Sequence, residues 1–291
     1  MSNKRKRKEE KLEIMKRENL VLYNYHHKKG NSDETFMKYA RIVKDFISYL
    51  CSNDLNLESI GKSDVIDYAK YLKGHTRNIN TCNNKLSILN VYFTSINRSE
   101  LCIDLFRTVK KEYIDDDRYL DKKDFFVLEK YAKDDIELDA ILHTIAGTGI
   151  RVSELKFFTY EAVKSGEVNI YNKKKERTVA IHHKLKMKLL DYCKAKGIKA
   201  GYLFTADGKN PYDRVTIWSK LKKLAKTAGI LITKVFPHAL RHLFARLNYE
   251  INKDLESLKV ILGHSRIETT LLYLLKTKSE YAEKMDIGLI D

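Results

Sequence analysis

Two segments of the chain combine arginine with a tight turn or a histidine at spacings that suit a bound anion. The run GTGIRVSEL, residues 147–155, has a glycine pair that lets the backbone turn before Arg151, at the start of a predicted helix. The run FPHALRHLFARL, residues 236–247, places His238 and Arg241 three residues apart and so on one helix face. Donors in these positions would hold a phosphate group. Either segment alone also fits a surface arginine beside a loop or a partly buried histidine.

A third segment adds a candidate nucleophile. In ILGHSRIETTLLYLLKT, residues 261–277, Gly263 reads as a turn and His264 as the start of a helix, and Tyr273 follows nine residues later. A tyrosine hydroxyl can attack a phosphorus atom and form a covalent intermediate. A tyrosine on an apolar face is more often part of a core, so this segment needs its neighbours before it indicates chemistry.

The fourth candidate is a run of lysines, residues 173–175. The surrounding sequence EVNIYNKKKERTVAIHH, residues 167–183, is rich in Val, Ile and Thr on both sides of the run, which predicts a β-hairpin with a cationic tip. Such a tip either brings a lysine to the reacting phosphate or is a solvated turn that touches a nucleic-acid backbone.

Neither a metal nor a nucleotide cofactor is predicted. His238 and His242 are four residues apart, but the glutamate of an HExxH zinc site is missing and no third ligand lies at a recognisable spacing. The tripeptide GKS at residues 61–63 resembles the end of a phosphate-binding loop, but Asn56 stands where that loop needs a glycine.

The charge of the chain indicates the same kind of ligand as the arginine segments. Its 291 residues include 55 Lys and Arg against 39 Asp and Glu, a formal net charge of +16, which predicts a polyanionic partner. No apolar run reaches the roughly 18 residues of a membrane span. The basic start MSNKRKRKEE is not followed by the apolar stretch of a secretory signal. A cytoplasmic protein is therefore expected.

A mainly α fold of two domains is predicted to position these segments. Pro211 and Pro237 are the two prolines of the chain, so long helices can run uninterrupted through the first two hundred residues. Apolar residues three to four apart after Ser32 predict an amphipathic helix. The pattern predicts a basic tail over 1–19, a helical domain over 20–106, a charged linker over 107–121, and an α-rich domain with a small antiparallel β-sheet over 122–291.

The four segments, in this order, resemble one family from residue 33 to the carboxy terminus. TGIRVSEL is similar to the first arginine motif of the tyrosine recombinases, the family of phage integrases and Xer-type recombinases. HALRHLFA is similar to their His-x-x-Arg motif, and LGHSRIETTLLY to their Leu-Gly-His box with its tyrosine. TFMKYARIVKDFISYL resembles the family's core-binding helix. The resemblance implies the DNA breaking-rejoining fold, with residues 20–106 as a SAM-like core-binding domain.

The resemblance also implies a reaction and the residues that carry it. Tyr273 would attack a DNA phosphate and form a 3′-phosphotyrosine intermediate, so that religation needs neither ATP nor a metal. Arg151 and Arg241 would stabilise the negative charge of the transition state. His238 and His264 would add hydrogen bonds and help to manage the tyrosine proton.

A lysine of the hairpin is the family's proton donor to the leaving 5′ oxygen, and here the sequence departs from the family pattern. No glycine fixes the register of the run over residues 172–177. A gapless match puts Asn172 at the catalytic position, and a turn shortened by one residue puts Lys173 there. Lys173 is our prediction, with Lys174 next. Glu154 matches the acidic residue after the first arginine and is predicted to orient the site or to pack beneath it.

The implied partner is double-stranded DNA with a specific recombination site, held in a C-shaped clamp by a nucleoid-associated protein. A homotetramer on two such sites would exchange strands in two steps, for integration, excision or resolution. The terminal helix near residues 279–285 is predicted either to dock on a neighbouring protomer or to pack on its own domain. The alternatives are a catalytically silent DNA-binding relative and a DNA strand transferase of the topoisomerase or resolvase type.

Overall fold

The computed structural model describes Lys16 and residues 19–108, 112–172 and 175–285, and of Asn172, Lys175 and Lys284 only the backbone is described. Over that part of the chain the structure is mainly helical with one two-stranded antiparallel sheet, which confirms the predicted fold class. The chain divides into two compact units, residues 1–110 and 111–291. Most of the predicted basic tail, residues 1–15, 17 and 18, lies outside the described residues.

The first unit packs helices around an apolar core. The Ser32 hydroxyl accepts a hydrogen bond from the Thr35 backbone N–H and so caps the long predicted amphipathic helix. The apolar face of this helix is buried, with Phe36, Phe46 and Leu50 at most 1% exposed. In chain order the helices are α1 (Leu20–Lys28), α2 (Asp33–Ser52), α3 (Lys62–His75) and α4 (Ile79–Ser95), followed by the 3-10 turn Ser99–Leu101.

The second unit surrounds the long helix that carries the His-x-x-Arg motif. Its 3-10 segments are Asp116–Arg118, Val152–Phe157 and Leu272–Leu274. Its helices and strands, in chain order, are α5 (Lys122–Ala132), α6 (Ile136–Thr148), α7 (Tyr160–Ser165), β1 (Glu167–Asn172), β2 (Lys175–Ala180), α8 (His183–Lys196), α9 (Arg214–Thr227), α10 (Pro237–Asn252), α11 (Leu255–Leu262), α12 (Ile267–Leu271) and α13 (Lys278–Met285).

Strands β1 and β2 form the predicted hairpin, with register from Glu167 opposite Ala180 to Asn172 opposite Lys175. Successive side chains of a strand point to opposite faces. Val179 is buried, so Arg177, two residues away, faces the interior of the unit as well. The alternation therefore directs an arginine from the hairpin toward the motif loops.

Of two predicted local conformations, one is present and one is wrong. Arg151 is the N-cap of a helix, as predicted; this helix, Val152–Phe157, is a 3-10 helix, and its Glu154 carboxylate accepts from the Arg151 backbone N–H. His264 lies in the turn between α11 and α12 rather than at a helix start, because Gly263 ends α11 in the left-handed conformation, at φ +65°.

Gly149 ends α6 in the left-handed conformation, at φ +63°, directly beside Phe244. A Cβ at this position would lie 2.3 Å from Phe244 Cδ1. Gly149→Ala is therefore expected to lower the free energy of unfolding by about 2–4 kcal/mol, since backbone strain and overpacking add. Urea unfolding measures the change.

Gly197 supplies the matched control for this prediction. It also ends a helix, at φ +69°, but a Cβ there would meet nothing within 4 Å. Gly197→Ala should cost only the strain, about 1 kcal/mol. Equal losses in the two variants would show that the contact with Phe244 has no energetic weight.

Candidate active site

Arg151 and Glu154 form the first part of the site, in the loop after α6. The Arg151 backbone N–H donates to Glu154 Oε2 at 2.8 Å, and Arg151 Nη1 donates to Oε1 at 3.1 Å. The Arg151 side chain is 29% exposed while that of Glu154 is 2% exposed. The buried carboxylate thus holds the guanidinium where a ligand can reach it.

Arg177, which no sequence motif distinguishes, reaches the same carboxylate from β2. Its Nη1 and Nη2 donate to Glu154 Oε1 and Oε2 at 3.1 and 2.8 Å. Burial raises the pKa of Glu154, but the hydrogen bonds from Arg177 and from the Arg151 backbone outweigh it, so the pKa lies below its ordinary value. A Cβ at Gly263 would lie 2.8 Å from Arg177 Cδ. Arg177 therefore connects the hairpin to both motif loops.

Arg241, on α10, is fully buried at the centre of the site. Its Nη1 donates to the Gly149 carbonyl at 2.6 Å, and its Nη2 donates to the Leu262 carbonyl at 2.6 Å. Burial and the positive charge of Arg151 lower the pKa of Arg241 to about 10, so the guanidinium stays charged at neutral pH. Its Nε is buried and has no hydrogen-bond partner within the described residues.

His264 lies between Arg241 and Thr270. Its Nε2 is 3.0 Å from Arg241 Nη2, and its Nδ1 is 3.0 Å from Thr270 Oγ1. Burial, followed by the positive charges of Arg241 and Arg151, lowers the pKa of His264 to about 4. The ring is therefore neutral at physiological pH and is held at both nitrogens.

Tyr273 stands in the 3-10 turn after α12 with its ring among these groups. Its ring centroid lies 4.8 Å from that of His264 and 5.5 Å from the guanidinium carbon of Arg241. The ring also stacks on His242, with centroids 4.0 Å apart and planes 13° apart. The structure thus brings together three predicted site residues that are 9 to 32 positions apart in the sequence.

His242, whose four-residue spacing from His238 is that of a metal-ligand pair, lies against Tyr273 in the structure. Burial and then the charge of Arg246 lower the pKa of His242 to about 4. Within residues 19–108, 112–172 and 175–285, no group of three or more His, Cys, Asp or Glu side chains could hold a metal ion. The ring is instead a flat neutral support for Tyr273.

His238 is the second residue of α10 and lies on the same side as Arg241. Burial, and then the charges of Arg241 and Arg151, lower the pKa of His238 below its ordinary value, so this ring is also neutral at neutral pH. It borders a cavity of about 800 Å³, which is also lined by Arg214, Trp218 and Lys222. Lys222 Nζ lies 3.8 Å from the Trp218 ring centroid. Basic and aromatic side chains therefore continue outward from His238.

The predicted proton donor, Lys173 with Lys174 next, lies outside the described residues. The backbone of Asn172, the alternative position, pairs with that of Lys175 at the end of the ladder.

The three neighbouring histidines should make the stability of the chain fall as the pH falls. An unfolded histidine has a pKa of about 6.5, and His242 and His264 have values of about 4 in the folded chain. Between these values the unfolded chain binds protons that the folded chain does not bind. Each ring then removes up to about 1.4 kcal/mol of unfolding free energy per pH unit.

The variant His242→Phe isolates the contribution of one histidine with a lowered pKa. The pKa of His143 is raised, so its protonation increases the stability of the chain as the pH falls. Phenylalanine keeps a flat ring against Tyr273 and removes the titrating group. Urea unfolding at pH 7 and pH 5 should show a smaller loss for the variant than for the wild type. Parallel losses would contradict the buried, neutral state of His242.

Comparison with known proteins gives consistent results. The family model "Phage integrase family" matches residues 119–280. The chain is 28% identical over 262 residues to the tyrosine recombinase XerD of Shewanella oneidensis, which covers 84% of this chain and 87% of that protein. Among the described residues, no helix has the length and apolar character needed to cross a membrane.

Solved structures share the fold at low sequence identity. The XerH site-specific recombinase bound to palindromic difH substrate, a post-cleavage complex, matches with a TM-score of 0.70 at 18% identity, covering 89% of this chain and 81% of that one. A lambda integrase tetramer bound to a Holliday junction matches with a TM-score of 0.68 at 16% identity, covering 87% of this chain and 76% of that one.

Proposed function

The chain belongs to the phage integrase family, and on this basis we propose that it is a site-specific tyrosine recombinase that cuts and rejoins duplex DNA through a 3′-phosphotyrosine intermediate. One observation carries the proposal: the Tyr273 ring lies 5.5 Å from the buried guanidinium carbon of Arg241 and 4.8 Å from the His264 ring. A phenol among charged guanidiniums and neutral imidazoles can attack a bound phosphodiester.

The reaction is a reversible exchange of one phosphodiester for another. Tyr273 Oη attacks the scissile phosphorus, an O–P bond forms, and the bond to the 5′ oxygen breaks. Arg151 and Arg241 stabilise the charge that gathers on the non-bridging oxygens. A 5′ hydroxyl of the partner strand then attacks the phosphotyrosine and restores Tyr273. Because one bond forms for each that breaks, religation requires no ATP.

Neutral histidines suit the transfer of the tyrosine proton. A phenol with an ordinary pKa of about 10 must lose its proton as it attacks. His264 Nε2 is occupied by Arg241 at 3.0 Å. We therefore assign acceptance of the phenol proton to His238, which is neutral and has no hydrogen bond to Arg241, and we assign to Glu154 the orientation of Arg151.

Lys173, with Lys174 next, is our candidate for the acid that protonates the leaving 5′ oxygen. A substrate with sulfur at the bridging 5′ position tests this role, because a thiolate, with a thiol pKa of about 8.5, leaves without a proton. The alanine variant at the acid should cleave the oxygen substrate slowly and the sulfur substrate at the wild-type rate. If the sulfur substrate restores the rate only for the alanine variant at Lys174, Lys174 is the acid. If it restores the rate for neither variant, neither lysine is the acid.

The proposed partners are duplex DNA with a specific site and three further copies of the chain. We propose that residues 20–106 form the core-binding domain, 122–291 the catalytic domain, and α13 the element that docks on a neighbouring protomer. In the single chain, α13 contacts its own unit: Tyr119 donates to Glu280 at 2.7 Å, and Ser279 donates to Asp116 at 2.7 Å. Docking on a neighbour would have to replace these hydrogen bonds.

Covalent trapping tests the function. The protein is incubated with a pool of nicked duplexes made from DNA that flanks its own gene, the mixture is denatured, and any DNA still attached is sequenced. We expect protein–DNA adducts whose junctions share one sequence. Tight binding without adducts would identify a catalytically silent DNA-binding protein instead.

The reaction products distinguish a recombinase from a DNA strand transferase of the topoisomerase or resolvase type. A recombinase joins strands from two different duplexes, whereas a topoisomerase or resolvase-type enzyme rejoins the ends that it cut. Two duplexes of unequal length that carry the recovered site should yield recombinant lengths. Adducts without recombinant lengths would favour the topoisomerase or resolvase type.

A further inference from the structure

Both ring nitrogens of His264 are engaged, and their partners differ in what they can donate. Nε2 lies 3.0 Å from Arg241 Nη2, and Nδ1 lies 3.0 Å from Thr270 Oγ1. A guanidinium has donors and no acceptor, so Nε2 must accept and carries no proton. The one ring proton of the neutral histidine is therefore on Nδ1, which donates to the Thr270 hydroxyl.

The other tautomer does not fit this arrangement. A proton on Nε2 would point at an N–H of Arg241, donor against donor, across 3.0 Å. Arg241 Nη2 is also bonded to the Leu262 carbonyl at 2.6 Å, so the guanidinium would have to give up that bond to move away. Thr270 is fully buried, so bulk water does not compete for its hydroxyl.

We propose that Thr270 is a positioning residue for the reaction: its hydroxyl accepts from His264 Nδ1–H and holds the ring in the orientation in which Nε2 accepts from Arg241. The inference rests on the proposed function, because it concerns the same site. Thr270 acts through His264. Without the hydroxyl, the buried Nδ1–H loses its acceptor, which penalises the tautomer that Arg241 requires.

Three variants test this role. Thr270→Val keeps the shape of the side chain and removes the acceptor, Thr270→Ser keeps the hydroxyl, and Thr269→Val makes the same substitution at the exposed neighbouring threonine. The probe is the nicked duplex recovered by covalent trapping. Thr270→Val should form the adduct about 10- to 100-fold more slowly at unchanged DNA affinity, because it leaves a buried donor unsatisfied. Thr270→Ser and Thr269→Val should stay within about threefold of the wild type.

The protonated nitrogen of His264 is a readout that activity does not affect. In ¹⁵N-labelled protein, two-bond couplings between ring protons and nitrogens identify which nitrogen carries the proton. The wild type and Thr270→Ser should carry it on Nδ1 as a hydrogen-bonded N–H, and in Thr270→Val the resonance of that proton should move upfield because its acceptor is lost. Thermal unfolding of the three variants identifies any loss of folding.

Two results would overturn the role of Thr270. One is a wild-type His264 with its proton on Nε2, and the other is a folded Thr270→Val variant that attaches to DNA at the wild-type rate. If no protein forms an adduct, wild type included, the proposed function fails, and the spectra still decide whether the Thr270 hydroxyl holds His264 Nδ1–H.

Discussion

Replacement of Tyr273 by phenylalanine should abolish covalent attachment to DNA and leave DNA affinity unchanged. The substitution removes only the hydroxyl, and the ring can keep its stacking on His242, where the centroids are 4.0 Å apart. Loss of the nucleophile should reduce adduct formation by at least about four orders of magnitude, to below detection. The measurement is the amount of protein–DNA adduct that survives denaturation, beside an affinity titration at one fixed salt concentration.

Tyr249→Phe is the control for this variant. Tyr249 lies on the same helix as Arg241 and packs in the small apolar cluster that Tyr273 also borders, so the same atom is removed from a neighbouring core position. It should form adducts at the wild-type rate. Adducts that persist in Tyr273→Phe, or a parallel loss of DNA affinity, would show that Tyr273 is not the nucleophile.

Arg241→Lys should have the second largest effect. An ammonium keeps the positive charge, but it cannot reach the Gly149 and Leu262 carbonyls and the His264 ring with the planar fork of a guanidinium. The rate of adduct formation should fall by about 10²- to 10³-fold, the usual effect of removing a transition-state donor. The buried carbonyls left without donors should also lower the free energy of unfolding by roughly 2–4 kcal/mol.

Arg246→Lys separates the chemical part of this effect from the structural part. Arg246 is a second buried arginine on α10; it donates to the Leu120 carbonyl and stacks on Tyr119, with the guanidinium carbon 4.0 Å from the ring centroid. Arg246→Lys should destabilise the chain, but it should lower the rate of adduct formation much less than Arg241→Lys does. Equal rate losses in the two variants would assign the effect of Arg241 to folding alone.

The architecture of the second unit could be predicted in outline because its signals are local. The Val, Ile and Thr pattern around the lysine run predicts the hairpin, and the structure has it as β1 and β2. The conformation around Arg151 could not be predicted from periodicity. It includes a hydrogen bond that the Arg151 backbone N–H donates to the Glu154 carboxylate at the start of a 3-10 helix.

Some side chains of the candidate site could likewise be identified from the sequence, and others could not. Arg241, His264 and Tyr273 stand in motifs with chemically distinctive residue types, so the sequence identifies them. Arg177 and Thr270 lie in ordinary-looking runs, and their roles arise from contacts across the fold, to Glu154 and to His264. Strand alternation could have indicated an inward Arg177, but its partner could not be identified before the loops were placed.

The two carbonyls that accept from Arg241 have an electrostatic consequence. Leu262 is the last residue of α11 and Gly149 caps α6, so both carbonyls lie at carboxy-terminal helix ends, where the aligned peptide dipoles leave a partial negative charge. Helix ends thus replace the water that burial removes from the guanidinium, without cancelling its charge as a carboxylate would. The single negative charge of Glu154 partly offsets the two positive charges of Arg177 and Arg151, whereas the charge of Arg241 stays available to an incoming anion.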